Sequence, residues 1–205
     1  MEVLTFPFGM LEANAYLAHN GNDAVVVDPP DDPDIVLGVI RHNSLNLRAI
    51  LLTHLHFDHC SGCGDMSLAS GLPVQVGRQD WEMRNIMLAA AMRFNFPEVK
   101  EFPVEILEPG PVTWGSLQGQ VIHAPGHSRG SLCFYFAEAS ILFAGDVLFY
   151  RSVGRSDFPG GDPDVLRASL TSLYALPPKT VVFPGHGEPT TIGDEARQNP
   201  FWRVE

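Results

Sequence analysis

Three cysteines in 205 residues are too few, and odd in number, for a disulfide framework. A reducing cytoplasm is the expected compartment. No apolar run approaches the ~20 residues needed to span a membrane. The opening MEVLTFPFGMLEANAYL has no basic segment leading into an apolar core and a small-residue cleavage site. Basic side chains are scarce as well: 13 Lys and Arg stand against 24 Asp and Glu, a net charge of −11. That balance leaves no basic stripe for tracking phosphates, so neither a nucleic acid nor a membrane is an expected partner. Low-complexity tracts and short-period repeats are missing too. The remaining composition, 45% hydrophobic and 18% charged, is that of a globular protein. The length suits one domain over residues 1–205.

Short apolar strands alternate with helical segments. AVVVDP (24–29) reads as a buried strand, and DPDIVLGVIRHNS (32–44) carries apolar residues at helical spacing. LRAILLT (47–53) is a continuous apolar run, the pattern of a strand covered on both faces. A helix is predicted over 58–70, a strand over 72–76 and the longest helix over 79–95. In the second half GQVIHAPGH, GSLCFYFAEASILFAGD and KTVVFPGHG read as strands ending near a His or Asp beside Gly. Residues 161–176 read as a helix with an Asp cap and a Pro in its first turn. Two βα-rich halves predict an α/β fold with a sheet-on-sheet core and helices outside.

The stretch LLTHLHFDHCSG (51–62) puts three histidines and an aspartate into six positions behind an apolar run. Residues two apart in extended chain point the same way, so His54 and His56 can converge on one cation. Asp58 and His59 follow as the chain turns into a helix and can face a second cation. Imidazole with carboxylate suits Zn²⁺, Fe²⁺ or Mn²⁺ better than Ca²⁺ or Mg²⁺. Four residues do not complete two sites. Three further candidates lie at the ends of apolar strands, each beside a Gly: His127 in APGHSRGS, Asp146 in LFAGDVLF and His186 in VFPGHGEP. CSGC (60–63) matches C-x-x-C, but no second pair completes a knuckle, so Cys60 and Cys63 are expected to pack in the core, as is Cys133.

The series T-H-x-H-x-D-H, P-G-H-S, G-D and P-G-H-G over residues 53–187 resembles the metallo-β-lactamase superfamily. GRSDFPGGD (154–162) and TTIGDEARQNPF (190–201) resemble its small bacterial glyoxalase II-like (hydroxyacylglutathione hydrolase-like) members. The resemblance implies a four-layer αβ/βα sandwich with metals at one edge. It assigns His54, His56 and His127 to one ion, Asp58, His59 and His186 to a second, and Asp146 to a bridge between them. It also implies that Arg155 and Asp157 form a buried pair propping up the site. Phe149, Tyr150 and Arg151, directly after Asp146, are expected to line the substrate channel. Met83, Met87 and Met92 fall at helical spacing, which more commonly means core than lid.

The chemistry so implied is metal-dependent hydrolysis. Two divalent ions, zinc favoured and iron or manganese possible alternatives, would lower the pKa of a shared water and polarise a carbonyl. Asp58 could also shuttle the proton, which makes it the catalytic candidate. Two divalent ions less three negative charges from Asp58, Asp146 and one hydroxide leave a slightly positive site on an acidic protein. The expected substrate is a small 2-hydroxyacyl thioester or ester. The alternatives are a mononuclear iron persulfide dioxygenase-like enzyme, a lactonase, and a non-catalytic metal-binding protein. Two departures from glyoxalase II stand out: no room for a C-terminal helical glutathione-binding domain is expected, and YRSVGR replaces a cysteine-containing loop.

Overall fold

The computed structural model describes residues 1–93 and 99–201, with side chains for 1–88 and 99–201. The chain opens with antiparallel strands β1 (Glu2–Phe8), β2 (Ala13–His19) and β3 (Asp23–Val27). Helix α1 (Pro33–His42) then leads to β4 (Asn46–Leu51), which pairs parallel to β3. Two short helices, α2 (Phe57–Cys60) and α3 (Cys63–Ser70), precede β5 (Val74–Gly77). Helices α4 (Arg78–Glu82) and α5 (Arg84–Arg93) precede β6 (Val104–Leu107). These six strands form one sheet in chain order. The second sheet takes β7 (Gly110–Trp114), β8 (Leu117–His123), β9 (Leu132–Phe136) and β10 (Ile141–Gly145). A hairpin of β11 (Leu148–Phe149) and β12 (Ser152–Val153) and helix α6 (Pro163–Leu173) follow. Strands β13 (Val181–Pro184) and β14 (Thr190–Thr191) complete the second sheet, and α7 (Ile192–Gln198) comes last.

Period-2 alternation explains the layering. On β3, Val25 and Val27 point between the sheets, where they meet Phe134, Phe136 and Phe143. Ala24 and Val26 point the other way, into a core shared with Val36 and Ile40 of α1 and Cys63 and Met66 of α3. Strand β10 repeats the pattern: Ile141 and Phe143 face the first sheet, while Leu142 and Ala144 pack under Leu166, Leu170 and Leu173 of α6. The result is the expected αβ/βα sandwich. Cys60, Cys63 and Cys133 are fully buried free thiols in these outer cores.

Helix α6 is fixed at its start as its sequence requires. Asp162 accepts from the amides of Asp164 and Val165 at 2.9 and 3.1 Å, with Pro163 in the first turn.

Of the three helices predicted in the first half, 32–44 is intact as α1 and the other two are broken. The 58–70 segment divides at Ser61, whose hydroxyl donates to Asp31. The 79–95 segment divides at Met83 because Asp80 is drawn fully into the core. Its carboxylate accepts from the amides of Leu55 (3.0 Å) and Gly130 (2.6 Å) and the hydroxyl of Ser128 (2.8 Å). Met92 and the end of that segment lie outside the described side chains. Among the described residues, no helix is long and apolar enough to cross a membrane.

The topology decides where the polar loops meet. Strands β3 and β4 run parallel, and so do β10 and β13. Strand β8 runs with β10, since both are antiparallel to β9. The C-terminal ends of all five strands lie at one edge, where ligands collect in parallel α/β sheets. The two sheets are stitched there by Leu132 N donating to the Thr53 carbonyl at 2.8 Å.

Candidate metal centre

Each ligand candidate is delivered by a strand end. Beyond β4 the chain bends at Thr53 and brings His54 and His56 to the same centre; His56, itself extended, precedes α2, which carries Asp58 and His59. His127 follows β8. Asp146 follows β10 after a register shift between Phe143 and Gly145, a bulge of the kind that re-aims a side chain. Gly145 has a φ of +50°, and a Cβ there would lie 2.6 Å from Thr53 Oγ1, so the two sheets can close only over glycine. His186 follows β13, in a loop held by β2: Asn14 N donates to the Gly185 carbonyl (2.7 Å) and Asn14 Nδ2 to the carbonyls of Pro184 (3.1 Å) and Gly187 (3.0 Å).

The seven candidates come together. The donor atoms of His54, His56 and His127 lie within 4.8 Å of one another, and so do those of Asp58, His59 and His186. His127 Nε2 is 2.8 Å from His56 Nδ1 and 3.3 Å from His54 Nε2. His59 Nε2 is 3.2 Å from His186 Nε2, and Asp58 Oδ2 is 3.4 Å from the same His186 nitrogen. Asp146 reaches both groups: Oδ1 is 3.3 Å from His59 Nε2, and Oδ2 is 3.6 Å from His127 and from His186.

The far side of four rings is fixed by an oxygen. His59 Nδ1 donates to Asp28 Oδ2 (3.0 Å), His127 Nδ1 to the Arg155 carbonyl (2.7 Å) and His186 Nδ1 to the Leu11 carbonyl (3.0 Å). His54 Nδ1 donates to Thr53 Oγ1 (3.0 Å), which in turn donates to Asp28 Oδ2 (2.6 Å). These bonds set the tautomer that leaves Nε2 bare toward the centre, the arrangement metal-ligating histidines require. His56 turns its Nδ1 inward instead.

Whether a cation fits can be judged from Asp146 Oδ1, which is buried with no hydrogen-bond partner. A buried carboxylate oxygen left so costs free energy unless a positive charge meets it. Five imidazoles and two carboxylates, with no thiolate among them, match zinc, iron or manganese.

Charge divides the cluster. Burial holds His54 and His56 well below the usual imidazole range, reinforced by the neighbouring histidines, so both are neutral at pH 7. Burial also opposes charge on His59, but Asp146 and Asp28 outweigh it and raise its pKa well above the usual value. His186 is raised the same way, burial being outweighed by Asp58 and Asp146. His59, raised well above the usual imidazole range, holds a proton at neutral pH in the metal-free protein, and a ligand nitrogen must shed it. Zinc binding near pH 7 is therefore expected to release protons, and affinity to fall as pH drops. Calorimetric titrations in buffers of different ionisation enthalpy check this; an enthalpy independent of buffer would contradict it.

Sequence reasoning missed Asp28. It is buried at a φ of +49° and accepts from Thr53 N (2.7 Å), Thr53 Oγ1 and His59 Nδ1, linking both ligand groups. Its one signal was an acid closing the apolar run AVVVD. Asp28→Asn keeps the shape and tolerates the left-handed backbone but loses the charge. Metal affinity is expected to fall about 10- to 100-fold, measured by competition with a chromophoric chelator.

Two expectations need correction. Tyr150 and Arg151 do not line the cavity above the cluster, although Phe149 does. Pairing of Phe149 with Ser152 makes residues 150 and 151 the two-residue turn of the β11–β12 hairpin, which points them away. Arg151 is drawn instead to the buried Glu195, at 2.8 Å. The Arg155–Asp157 pair exists, with two contacts of 2.8 Å, but its side chains are 62% and 67% exposed. Both lie in a loop open to water, so the pair is solvated and not a buried prop.

A sandwich of this topology with His and Asp ligands at one edge defines a class, and the chain belongs to it. The model of the metallo-beta-lactamase superfamily matches residues 9–186. The protein is a metallo-hydrolase of that superfamily, whose members bind divalent metals. The hydroxyacylglutathione hydrolase GloC of Haemophilus influenzae is 30% identical, with 98% of each chain covered. The crystal structure of TTHA1623 in a di-iron-bound form matches with a TM-score of 0.87 at 42% identity, over 97% of this chain and 100% of that one. The crystal structure of the BLEG-1 B3 metallo-beta-lactamase matches with a TM-score of 0.89 at 33% identity, over 98% and 99%.

Proposed function

We propose that the protein is a dinuclear thioesterase of glyoxalase II-like type acting on a small 2-hydroxyacyl thioester. The observation that carries this reading is Asp146, whose buried Oδ1 has no hydrogen-bond partner and whose two oxygens face two three-residue ligand groups. One group would be His54, His56 and His127, the other Asp58, His59 and His186, with Asp146 shared. Two divalent ions there, zinc favoured over iron or manganese, would supply a hydroxide nucleophile at neutral pH and a Lewis acid for the carbonyl.

The chain's own residues do the rest. The oxygen anchors on His54, His59, His127 and His186 hold the imidazoles in place without reorganisation during turnover. Asp58 is kept ionised: burial would raise its pKa, but the hydrogen bond to His186 and the charge of His59 outweigh it. It borders the cavity and can accept a proton there and return it to the leaving thiolate. Similarity to GloC supports the reaction class, and the di-iron relative supports occupancy by two ions.

The test is turnover of lactoylglutathione and related thioesters by protein loaded with zinc, iron or manganese, with metal counted per chain. Thioester cleavage at two ions per chain is the expected result. One iron per chain with oxygen consumption on glutathione persulfide would replace this reading with the dioxygenase.

A further inference from the structure

The cavity over the cluster encloses about 890 Å³, near the upper end for small-molecule sites. Its floor is polar, made by the ligand residues. Among the described residues, the polar side chains around the rim are Asn85 and Arg155, and Arg155 is already paired with Asp157. The walls are Leu11, Phe57, Ile86, Met87, Phe149 and Phe158. Phe158 stands edge-on to His56 with ring centres 5.4 Å apart, and Phe149 edge-on to His186 at 6.2 Å, so aromatic rings flank the cluster on both sides. The lip formed by Leu11 is tied to the cluster, because its carbonyl accepts from His186 Nδ1. Leu11 and Ile86 nevertheless remain 48% and 57% exposed.

Apolar side chains held wet around a polar floor match a ligand that is polar at one end only. A three-carbon lactoyl group seated at the floor would leave most of these walls in water. We infer that the site selects 2-hydroxyacyl thioesters whose acyl group carries an extended aliphatic or aryl substituent. The inference rests on the thioesterase reading and names its substrate class.

Binding separates the two. Straight-chain 2-hydroxy acids from lactate to 2-hydroxyoctanoate, shaped like the acid product, are titrated calorimetrically into metal-loaded protein. The dissociation constant is expected to fall by up to about fourfold for each methylene buried. Leu11→Ser and Ile86→Ser, at half-exposed positions where folding is not at stake, should each flatten that dependence. In parallel, kcat/KM for the corresponding glutathione thioesters should rise in the same order. A dissociation constant indifferent to chain length, or a wild-type slope in both variants, overturns the inference. A rising affinity series without thioester cleavage would uphold the apolar selection and overturn the thioesterase; rapid cleavage with flat affinities would do the reverse.

Discussion

Asp146→Asn is expected to lower metal content from two ions per chain to one or none and to cut kcat/KM about a thousandfold or more, the equivalent of several kcal/mol of metal-derived transition-state stabilisation. Asparagine has nearly the same shape, so the change isolates charge. Burial alone would favour a neutral Asp146, but His59, His127 and His186 outweigh it and hold its pKa well below the usual carboxylate range. The group is therefore an anion throughout the working pH range, and the substitution removes a real charge from between the two ligand groups. Metal analysis with steady-state kinetics reads the effect. Far-ultraviolet circular dichroism should match the parent. Retention of two ions and near-normal turnover would show that Asp146 bridges nothing.

Gly185→Ala is also expected to be damaging, although it replaces no ligand residue. A Cβ at this position would lie 2.0 Å from Asp146 Oδ1 and 2.8 Å from His59 Cε1. The backbone has no room to retreat: Gly185 N donates to the Gly145 carbonyl at 2.8 Å, and its own carbonyl accepts from Asn14 N at 2.7 Å. Something in the cluster must therefore move, and about 1 Å of misplacement costs on the order of a hundredfold in rate. The expected readout is at least that loss in kcat/KM with weakened metal retention. Wild-type kinetics in this variant would mean that the packing between β10 and β13 is looser than the distances imply.

How much of this was legible in the sequence follows from what each residue's neighbours in the chain could reveal. The seven ligand candidates were recognisable because four of them crowd into THLHFDH behind an apolar run and the other three close apolar strands beside a glycine. The layered fold was recognisable because β3, β4, β9 and β10 are near-continuous apolar runs joined by amphipathic helices. Asp28, Asp80 and Asn14 were not. Each looks like an ordinary loop or edge residue, and its partners lie far off in the chain: Asp28 meets Thr53 and His59, Asp80 meets Leu55 and Gly130, and Asn14 meets Pro184. Buried Asn14 and His19 also break up the apolar pattern of β2, which hid a fully covered strand. Tyr150 and Arg151 failed for the opposite reason. Proximity to Asp146 in sequence pointed to the cavity, and a two-residue turn reversed their direction.

The central claim is that two cations share Asp146 in a pocket built by four loops. Anomalous diffraction from crystals of zinc- or iron-loaded protein tests it most directly. Two peaks are predicted, one among His54, His56 and His127 and one among Asp58, His59 and His186, each within bonding distance of Asp146. A single peak at the first group with the second left vacant, or peaks away from the cluster, would contradict it.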